Sequence, residues 1–464
     1  MSLASLFDNQ CRDNPNGIFL TIDGASHSWS DVRAALAGAI ARLKELNYPE
    51  DSLLGTKGTD PFERIVWMVA ASWVGLPWFL GSSSDESLTE DVYWLDGLSS
   101  NRPGVCDVPE EWSDDSRHWV LLSSGSTGAP KLISLSWSQI LANAEGAKER
   151  LGLFSDDKWL CVLPLGHIAG ASIVARSCLI GFETVVEKFD ATTFHRVVES
   201  RDVTLTSLVP TMLRRILSHD VVAPRGLRAL MVGGAAFPRD LEPKASAWPI
   251  WLTWGMSETA SQVATSPMAE ALESGLEPIA GVDVSVDSEG YLVVSGPIAP
   301  GGAWRSSDIG VVDEDGKVKL KGRGDDVVKV GGNRVNLARV QRILQTHAEH
   351  VECEVFPVSA EDLGYEVGLA YRASVGDELD ILIRAADHLN PWERPHWLMP
   401  VLEFPLTERF KVDRMSLARE CGKRRSQFDL KQGRMTFLPG DQFKELRPLN
   451  ESFVDYDNEG RVTL

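Results

Sequence analysis

The alternation of apolar and polar residues predicts an α/β fold over roughly the first two thirds of the chain. Apolar residues recur at helical spacing over Trp29–Leu46, which Ser28 and Ser30 can cap, and over 64–74. Beyond them, short apolar runs alternate with amphipathic segments, as in strands joined by helical crossovers. The predicted strands are 119–122, 159–163, 184–186, 205–209 and 230–232, and the predicted helices are 136–151, 171–179, 192–199 and 210–217.

The pattern changes near Ile279. Short alternating strands separated by Gly, Asp and Glu predict a small antiparallel β unit at 282–286, 291–295, 310–312 and 317–320. After the turn-like segment 322–326, a compact α+β unit is predicted from helices 337–347 and 378–389 and strands 351–358, 366–371 and 399–404. We therefore predict a large domain of residues 1–323, a small domain of residues 324–425 and a polar tail, 426–464, of unknown role.

Composition narrows the classes of ligand. The chain has 464 residues, and its 46 Lys plus Arg against 66 Asp plus Glu give a net charge of −20. An acidic surface argues against nucleic acid and anionic membranes as partners, because both require basic patches. A small polyphosphate is still possible, since it needs only a local group of N–H donors and cations. The hydrophobic fraction of 43% is that of a globular protein with a large core.

The cysteines are scattered and form neither a CxxC motif nor zinc-ligand spacing, which predicts a reduced, cytoplasmic protein. They are Cys11, Cys106, Cys161, Cys178, Cys353 and Cys421. The first residues lack a basic segment followed by an apolar run, so no signal peptide is predicted. The longest apolar stretch, 65–80, is interrupted by Gly75 and Pro77 and is too short to span a membrane.

The strongest local signal is the segment 121–131, LLSSGSTGAPK. Four hydroxyl residues, two glycines and Lys131 lie within nine residues. Glycines let the backbone approach phosphate oxygens, and hydroxyl and N–H groups donate hydrogen bonds to them. The spacing is not that of a Walker A loop. A flexible Ser/Gly linker is the alternative, and it is disfavoured because an apolar strand precedes the segment and a predicted helix follows it.

This segment resembles the first core motif of AMP-forming adenylating enzymes, which include acyl- and aryl-CoA ligases, peptide-synthetase adenylation domains and luciferases. Further motifs follow in the family's order: WGMSE at 254–258, WRSSD at 304–308, GRGDD at 322–326, KVGG at 329–332 and FKVDR at 410–414. The resemblance implies a large domain of αβα-layered sheets with a small β unit, followed by a mobile α+β domain. It also implies ATP, Mg²⁺ and CoA as ligands.

The resemblance assigns roles residue by residue. The phosphate loop would comprise Ser123, Ser124, Gly125, Ser126, Thr127, Gly128 and Lys131. The nucleoside site would comprise Gly233, Gly234, Ala235, Trp254, Gly255 and Met256, with Asp308 and Arg323 at the ribose. Glu258 would coordinate Mg²⁺, Ser257 would contact the α-phosphate, and Lys411 would bridge carboxylate and phosphate oxygens in the transition state. Asp325 would be the hinge, and Lys329, Gly331 and Gly332 would serve the second half-reaction.

The acid pocket is expected near the segment 164–170, PLGHIAG, whose histidine lines the pocket in the family. The expected substrate contacts are His167, Arg176, Gly234 and Ser261, and the alternative for His167 is a core histidine. Arg176 lies on an otherwise apolar predicted helix, so its guanidinium either extends to solvent or pairs with an anion. The segments 164–176, 207–213, 230–236 and 255–265 most resemble o-succinylbenzoate–CoA ligases, whose substrate is a dicarboxylate that could pair with Arg176.

Several alternatives stay open at this point. The acid could be another aryl or acyl carboxylate, and the acceptor could be a carrier protein instead of CoA. A non-catalytic nucleotide-binding protein is disfavoured, because Glu258 and Lys411 are both present. The oligomeric state is not predicted, although a homo-oligomer is possible. The chain departs from the family at Phe410, where a glycine is usual, and at 306–307, where Ser-Ser replaces Thr-Gly.

Overall fold

The computed structural model describes residues 2–81, 91–98, 116–123, 131–219, 221–324, 326–348, 351–360, 363–372, 378–407 and 410–425, with short strands at 447–448, 455–456 and 462–463. The helices are α1 Leu3–Asp13, α2 Trp29–Leu46, α3 Pro61–Trp73, α4 Trp137–Leu151, α5 Ile168–Ile180, α6 Phe194–Ser200, α7 Pro210–Leu217, α8 Glu242–Ala245, α9 Met268–Glu273, α10 Leu337–His347, α11 Glu378–Ala386 and α12 Arg414–Arg425.

The strands of the first part of the chain are β1 Ile18–Ile22, β2 Ala25–Ser28, β3 Leu53–Thr56, β4 Trp78–Phe79, β5 Val92–Leu95, β6 Arg117–Ser123, β7 Lys131–Ser136, β8 Lys158–Cys161, β9 Glu183–Val186, β10 Leu205–Leu208, β11 Ala229–Val232, β12 Ile250–Met256 and β13 Ser261–Pro267. The later strands are β14 Asp283–Val286, β15 Tyr291–Ser295, β16 Ala303–Val312, β17 Val318–Arg323, β18 Val327–Val330, β19 Asn333–Asn336, β20 Cys353–Ala360, β21 Gly364–Arg372, β22 Trp397–Val401, β23 Arg447–Pro448, β24 Asp455–Tyr456 and β25 Val462–Thr463.

Two mostly parallel sheets build the large part of the molecule. The first has the order β13-β12-β11-β10-β8-β9-β1-β2, and only its outer pairs, β12–β13 and β1–β2, are antiparallel. The second has the order β5-β3-β4-β6-β7, with an antiparallel β6–β7 pair at one edge. Parallel strands need crossover connections, and helices such as α5, between β8 and β9, supply them and pack on the strands. The predicted α/β fold class is confirmed.

Further sheets follow along the chain, including the short pair of β24 and β25. Strands β14, β15, β16 and β17 form an antiparallel meander. A further sheet has the order β19-β18-β21-β22-β23, with β20 paired to β21, and packs against α10, α11 and α12. The buried apolar residues between 328 and 421 form clusters separate from those between 3 and 318. This division agrees with the proposed boundary near residue 324, which stays a prediction.

Capping residues account for the helices that the sequence located best. Ser28 accepts a hydrogen bond from the backbone of Asp31 while the Asp31 carboxylate accepts one from Ser28, which is a capping box, and α2 ends at Asn47 in the left-handed conformation. Ser136 and Gln139 form a second capping box at the start of α4, which ends at Gly152. These local signals are independent of tertiary contacts, so the sequence alone can reveal them.

Other sequence predictions need correction. The phosphate-loop segment does not lead directly into a helix: β7 intervenes and pairs antiparallel with β6, so the segment connects the two strands of a hairpin. The strands β1 to β5 were not predicted, because they are short and several carry exposed or polar residues. Within the described residues, no helix is long and apolar enough to cross a membrane.

Candidate active site

Several of the predicted site residues follow strands of the first sheet at their carboxyl ends. His167 follows β8, Gly233 and Gly234 follow β11, and Glu258 follows β12. These strands are adjacent or separated only by β10, and they run parallel. The carboxyl ends of parallel strands meet at one edge, which is where ligands bind in open α/β sheets. The fold therefore brings together residues that are more than 90 positions apart.

Gly234 lies at the centre of this edge and beside the predicted catalytic lysine. A Cβ placed on Gly234 would lie 3.3 Å from Cε of Lys411 and 3.6 Å from its Nζ. Gly234 also has a φ of +79°, a left-handed conformation that side chains disfavour. The backbone conformation therefore favours glycine here, and a side chain would also crowd the end of Lys411. The small C-terminal unit thus places Lys411 against the large one.

Trp254 and Asp308, which are both predicted to contact the nucleoside, are joined by a hydrogen bond. The indole Nε1–H of Trp254 donates a hydrogen bond of 2.8 Å to Oδ2 of Asp308, and Trp254 is 5% exposed. Arg323 approaches the other carboxylate oxygen, with 3.7 Å between its Nη1 and Oδ1. Ser306 accepts a hydrogen bond from the backbone N–H of Asp308 at 3.0 Å. The Asp308 carboxylate is therefore held mainly by the Trp254 hydrogen bond, with Arg323 as a longer, half-exposed contact on its other side.

Glu258 lies in a short 3₁₀ turn, Ser257–Thr259, between β12 and β13. The next two residues, Ala260 and Ser261, have φ values of +56° and +116°, and such strain clusters at functional sites. The side chain of Gln139 on α4 holds the turn, because its Nε2 donates to the carbonyls of Glu258 at 3.2 Å and Ile298 at 2.9 Å. A single carboxylate suits Mg²⁺, which takes few protein ligands and completes its shell with phosphates and water.

Arg176 does not extend to solvent. It is 2% exposed, and its Nη2 donates to Oδ1 of Asn143 at 3.0 Å and approaches Oε1 of Gln262 at 3.5 Å. Its guanidinium carbon lies 5.4 Å from the centre of the Trp159 ring. Among the described residues its Nε has no hydrogen-bond partner, and no carboxylate pairs with it. Of the two alternatives predicted for Arg176, the one in which its guanidinium extends to solvent is wrong.

Burial lowers the pKa of Arg176 to about 10, so the group is still a cation at neutral pH. A buried charge that only neutral amides contact is unfavourable, and an anion beside it would relieve this. Asn143 and Gln262 fix the plane of the guanidinium, since Asn143 also donates to the carbonyls of Thr259 and Gln262, at 3.1 and 2.7 Å. This network connects Arg176 to the turn that holds Glu258.

The sequence reasoning missed the amides that support the site, Gln139, Asn143 and Gln262. A signal for two of them was available, because Gln139 and Asn143 are four residues apart on the apolar face of α4 and are 7% and 1% exposed. A polar pair on the buried face of an amphipathic helix indicates a polar network inside the protein. Gln262 could not be paired with Arg176 from sequence, because 86 residues separate them.

Other predicted residues are placed less closely or not at all. Ser124, Gly125, Ser126, Thr127, Gly128 and Asp325 lie outside the described residues, as does the side chain of Ser123. Lys131 begins β7 and is exposed, and Met256, Ser257 and Ala235 lie at the sheet edge described above. Lys329, Gly331 and Gly332 lie on β18 and the turn to β19, and no contact among the described residues joins them to Gly234.

Known proteins match this chain in sequence and in fold. The AMP-binding enzyme family matches residues 78–304. A 2-succinylbenzoate–CoA ligase of Bacillus mycoides is 29% identical over 344 residues, 67% of this chain and 71% of that protein. One of Bacillus pumilus is 28% identical over 368 residues, 72% of this chain and 76% of that protein.

Two solved structures share the fold. The o-succinylbenzoate CoA synthetase of Bacillus subtilis with its acyl-adenylate intermediate has a TM-score of 0.77 at 19% identity, over 89% of this chain and 97% of that one. ATP-bound MatB from Rhodopseudomonas palustris has a TM-score of 0.75 at 18% identity, over 91% of this chain and 99% of that one. The family match over residues 78–304, the shared fold and the ordered motifs make this chain similar to AMP-binding enzymes, the resemblance that its sequence predicts.

Proposed function

We propose that the protein is an AMP-forming acid–CoA ligase whose acid substrate is o-succinylbenzoate. This reaction is a step of menaquinone or phylloquinone synthesis. The relatives named above support the acid and the acceptor. The observation that carries the proposal is the buried Arg176, whose charge meets neutral amides and no carboxylate among the described residues. A substrate with two carboxylates can present one to the reaction and the other to this cation.

The first half-reaction joins the aliphatic carboxylate of the acid to the α-phosphate of ATP and releases pyrophosphate. Two anions must approach each other, so the site has to supply positive charge where the new bond forms. Lys411 beside Gly234 is placed for this role, and Trp254, Asp308 and Arg323 position the nucleoside. Glu258 would hold Mg²⁺, which neutralises phosphate charge when it is bound. His167, at the start of α5, would line the acid pocket.

The second half-reaction transfers the acyl group from AMP to the thiol of CoA. The thiolate attacks the acyl carbon, the C–O bond to phosphate breaks, and AMP leaves with the electron pair. Lys411 occupies the site beside Gly234, so we propose that the small domain rotates about Asp325 between the steps and brings Lys329, Gly331 and Gly332 to the acyl group. A proline at 325 is expected to spare acyl-adenylate formation and to impair thioester formation. Equal loss of both steps would exclude this hinge.

The decisive experiment is ATP–pyrophosphate exchange with o-succinylbenzoate, benzoate and fatty acids, followed by thioester formation with CoA. We expect exchange with o-succinylbenzoate and a thioester product. Arg176→Met should raise the KM for o-succinylbenzoate at least about tenfold, because a paired charge is lost, and should leave the KM for ATP unchanged. Arg150→Met is a matched control, since Arg150 pairs with Glu277 away from this edge and is also partly buried.

Two results would contradict the proposal. Faster exchange with benzoate or a fatty acid than with o-succinylbenzoate would assign another acid. Exchange without any thioester in the presence of CoA would assign another acceptor, such as a carrier protein.

We also expect the enzyme to act in the cytoplasm, where ATP and CoA are available, which cell fractionation would check.

A further inference from the structure

We propose that Phe410 is a positioning residue that fastens the Lys411 loop to the large domain and thereby favours the adenylation step over the transfer step. The proposal rests on the proposed function, because it takes Lys411 as the lysine of acyl-adenylate formation. Its evidence is the backbone of the loop, the two contacts of Phe410 with the large domain, and the position of Lys411.

The described residues on either side of 408–409 lie close together. The N–H of Phe410 donates to the carbonyl of Thr407 at 2.9 Å, and the N–H of Thr407 donates to the carbonyl of Lys411 at 2.8 Å. Leu406 and Val412 form an antiparallel bridge. Phe410 has a φ of +57°, and hairpin loops with this pairing usually carry glycine at the left-handed position.

A phenylalanine in this conformation is strained, and strain persists only where the surroundings impose it. The ring of Phe410 packs edge-on against Phe189, with 5.7 Å between ring centres and 72° between ring planes. Both rings pack against the apolar cluster of the large domain that includes Val209 and Met212. The aromatic contact therefore joins the loop to a segment that directly follows β9.

A second contact holds the backbone of the same residue. The carbonyl of Phe410 accepts a hydrogen bond from the hydroxyl of Thr211, in the first turn of α7. Phe189 and Thr211 belong to different segments of the large domain, so Phe410 is held by its ring and by its carbonyl independently. A glycine at 410 would relax the backbone and would lose the ring contact.

These contacts matter because Lys411 is the next residue. A lysine side chain has a flexible four-carbon stem, so the position of its ammonium depends on how well its backbone is fixed. The structure has Lys411 beside Gly234. The transfer step requires this loop to leave, so the two contacts of Phe410 break in each turnover. Phe410 thus improves the placement of Lys411 and slows the departure of the loop.

A different contact between the domains provides a matched control. Arg214 on α7 lies 3.5 Å from the carboxylate of Glu352, just before β20. This ion pair joins the two domains without touching the loop 406–412. Glu352→Gln should therefore weaken docking of the domains in general, whereas Phe410→Gly should act on Lys411 in particular.

The kinetic test compares Phe410→Gly, Phe189→Leu, their double variant and Glu352→Gln in the two half-reactions. Phe410→Gly should fold well, because glycine suits its backbone. It should lower kcat for exchange about tenfold with an unchanged KM for ATP, and should speed thioester formation from preformed acyl-adenylate. Phe189→Leu should act in the same direction, and the double variant should be no slower than Phe410→Gly. Glu352→Gln should leave kcat for exchange within about twofold of wild type.

A second test uses no substrate. Val222→Cys and Met415→Cys replace exposed residues on the two domains, and a dye is attached to each new thiol. The native cysteines among the described residues are buried, and Cys106, which lies outside the described residues, is replaced by serine so that it is not labelled. Energy transfer between the dyes then reports the domain arrangement. Phe410→Gly should broaden the transfer distribution. An unchanged distribution, or unimpaired exchange by Phe410→Gly, would overturn the inference. Absence of exchange by the wild type with o-succinylbenzoate would instead reject the proposed function, and the dye measurement would still decide the role of Phe410.

Discussion

Trp254→Phe tests how the nucleoside side of the site works. The substitution keeps an aromatic ring on β12 and removes the indole N–H that donates to Asp308 at 2.8 Å. A hydrogen bond to a charged group contributes about 1.5–3 kcal/mol. Arg323 still faces the other oxygen of Asp308, but it is half-exposed and 3.7 Å away, so it orients the carboxylate poorly. We expect a loss near the lower limit, about 1.5 kcal/mol, or about tenfold weaker binding of AMP.

The assay is calorimetric titration with AMP and with its 2′-deoxy and 3′-deoxy analogues. If Trp254 acts through Asp308, removal of a ribose hydroxyl should weaken binding to the wild type strongly and to Trp254→Phe much less. Equal losses on deoxygenation in both proteins would refute this reasoning and would assign Trp254 to the base alone. Trp251→Phe, three residues earlier on the same strand and next to Arg150, is the control and should leave AMP affinity unchanged.

Further predictions concern charge and stability. Glu258→Gln should lower kcat for exchange by about 100-fold or more at an unchanged melting temperature, and excess Mg²⁺ should not restore it. Arg176→Lys should make the KM for o-succinylbenzoate rise between pH 6 and 8.5, because burial lowers the pKa of a lysine toward neutrality, whereas the arginine, with a pKa of about 10, should keep the KM flat. Burial lowers the pKa of His118 to about 3, so only the unfolded state is protonated as pH falls from 7 to 5. Over that pH range the unfolding free energy of the wild type should fall by about 2 kcal/mol more than that of His118→Phe. Asp157→Asn should lower the unfolding free energy by about 3 kcal/mol, since the fully buried carboxylate accepts a hydrogen bond from Nε of Arg228 at 2.8 Å. Urea denaturation measures this change, and an unchanged unfolding free energy would contradict the prediction.

The sequence predicted best those features that depend on neighbouring residues. The bounds predicted for α2, after its serine cap, and for the helix 210–217 were both correct. The strand β7 was missed, because the serine cap of α4 was clear while the strand itself alternates weakly. Short strands of this kind form because a neighbouring strand pairs with them, and such pairing is not a local property.

The site shows the same division. Ordered motifs singled out Glu258, Asp308 and Lys411 as site residues through their resemblance to a family, and their roles stay predictions. The state of Arg176 was left open, since it depends on Asn143 and Gln262, which are distant in sequence. The left-handed backbone of Phe410 was not foreseen either, because local preference assigns that conformation to glycine and contacts with another domain override the preference.

The hairpin of β12 and β13 has a consequence for how the enzyme could change. Trp254, Glu258 and Gln262 lie in a segment of nine residues that contains the turn between the two strands. The strands are tightly packed, because a Cβ on Gly255 would lie 1.8 Å from the carbonyl oxygen of Ser261. The proposed contacts to nucleotide, metal and acid are therefore parts of one tightly packed hairpin. A substitution that reshapes the acid pocket through this hairpin also shifts the ATP contacts.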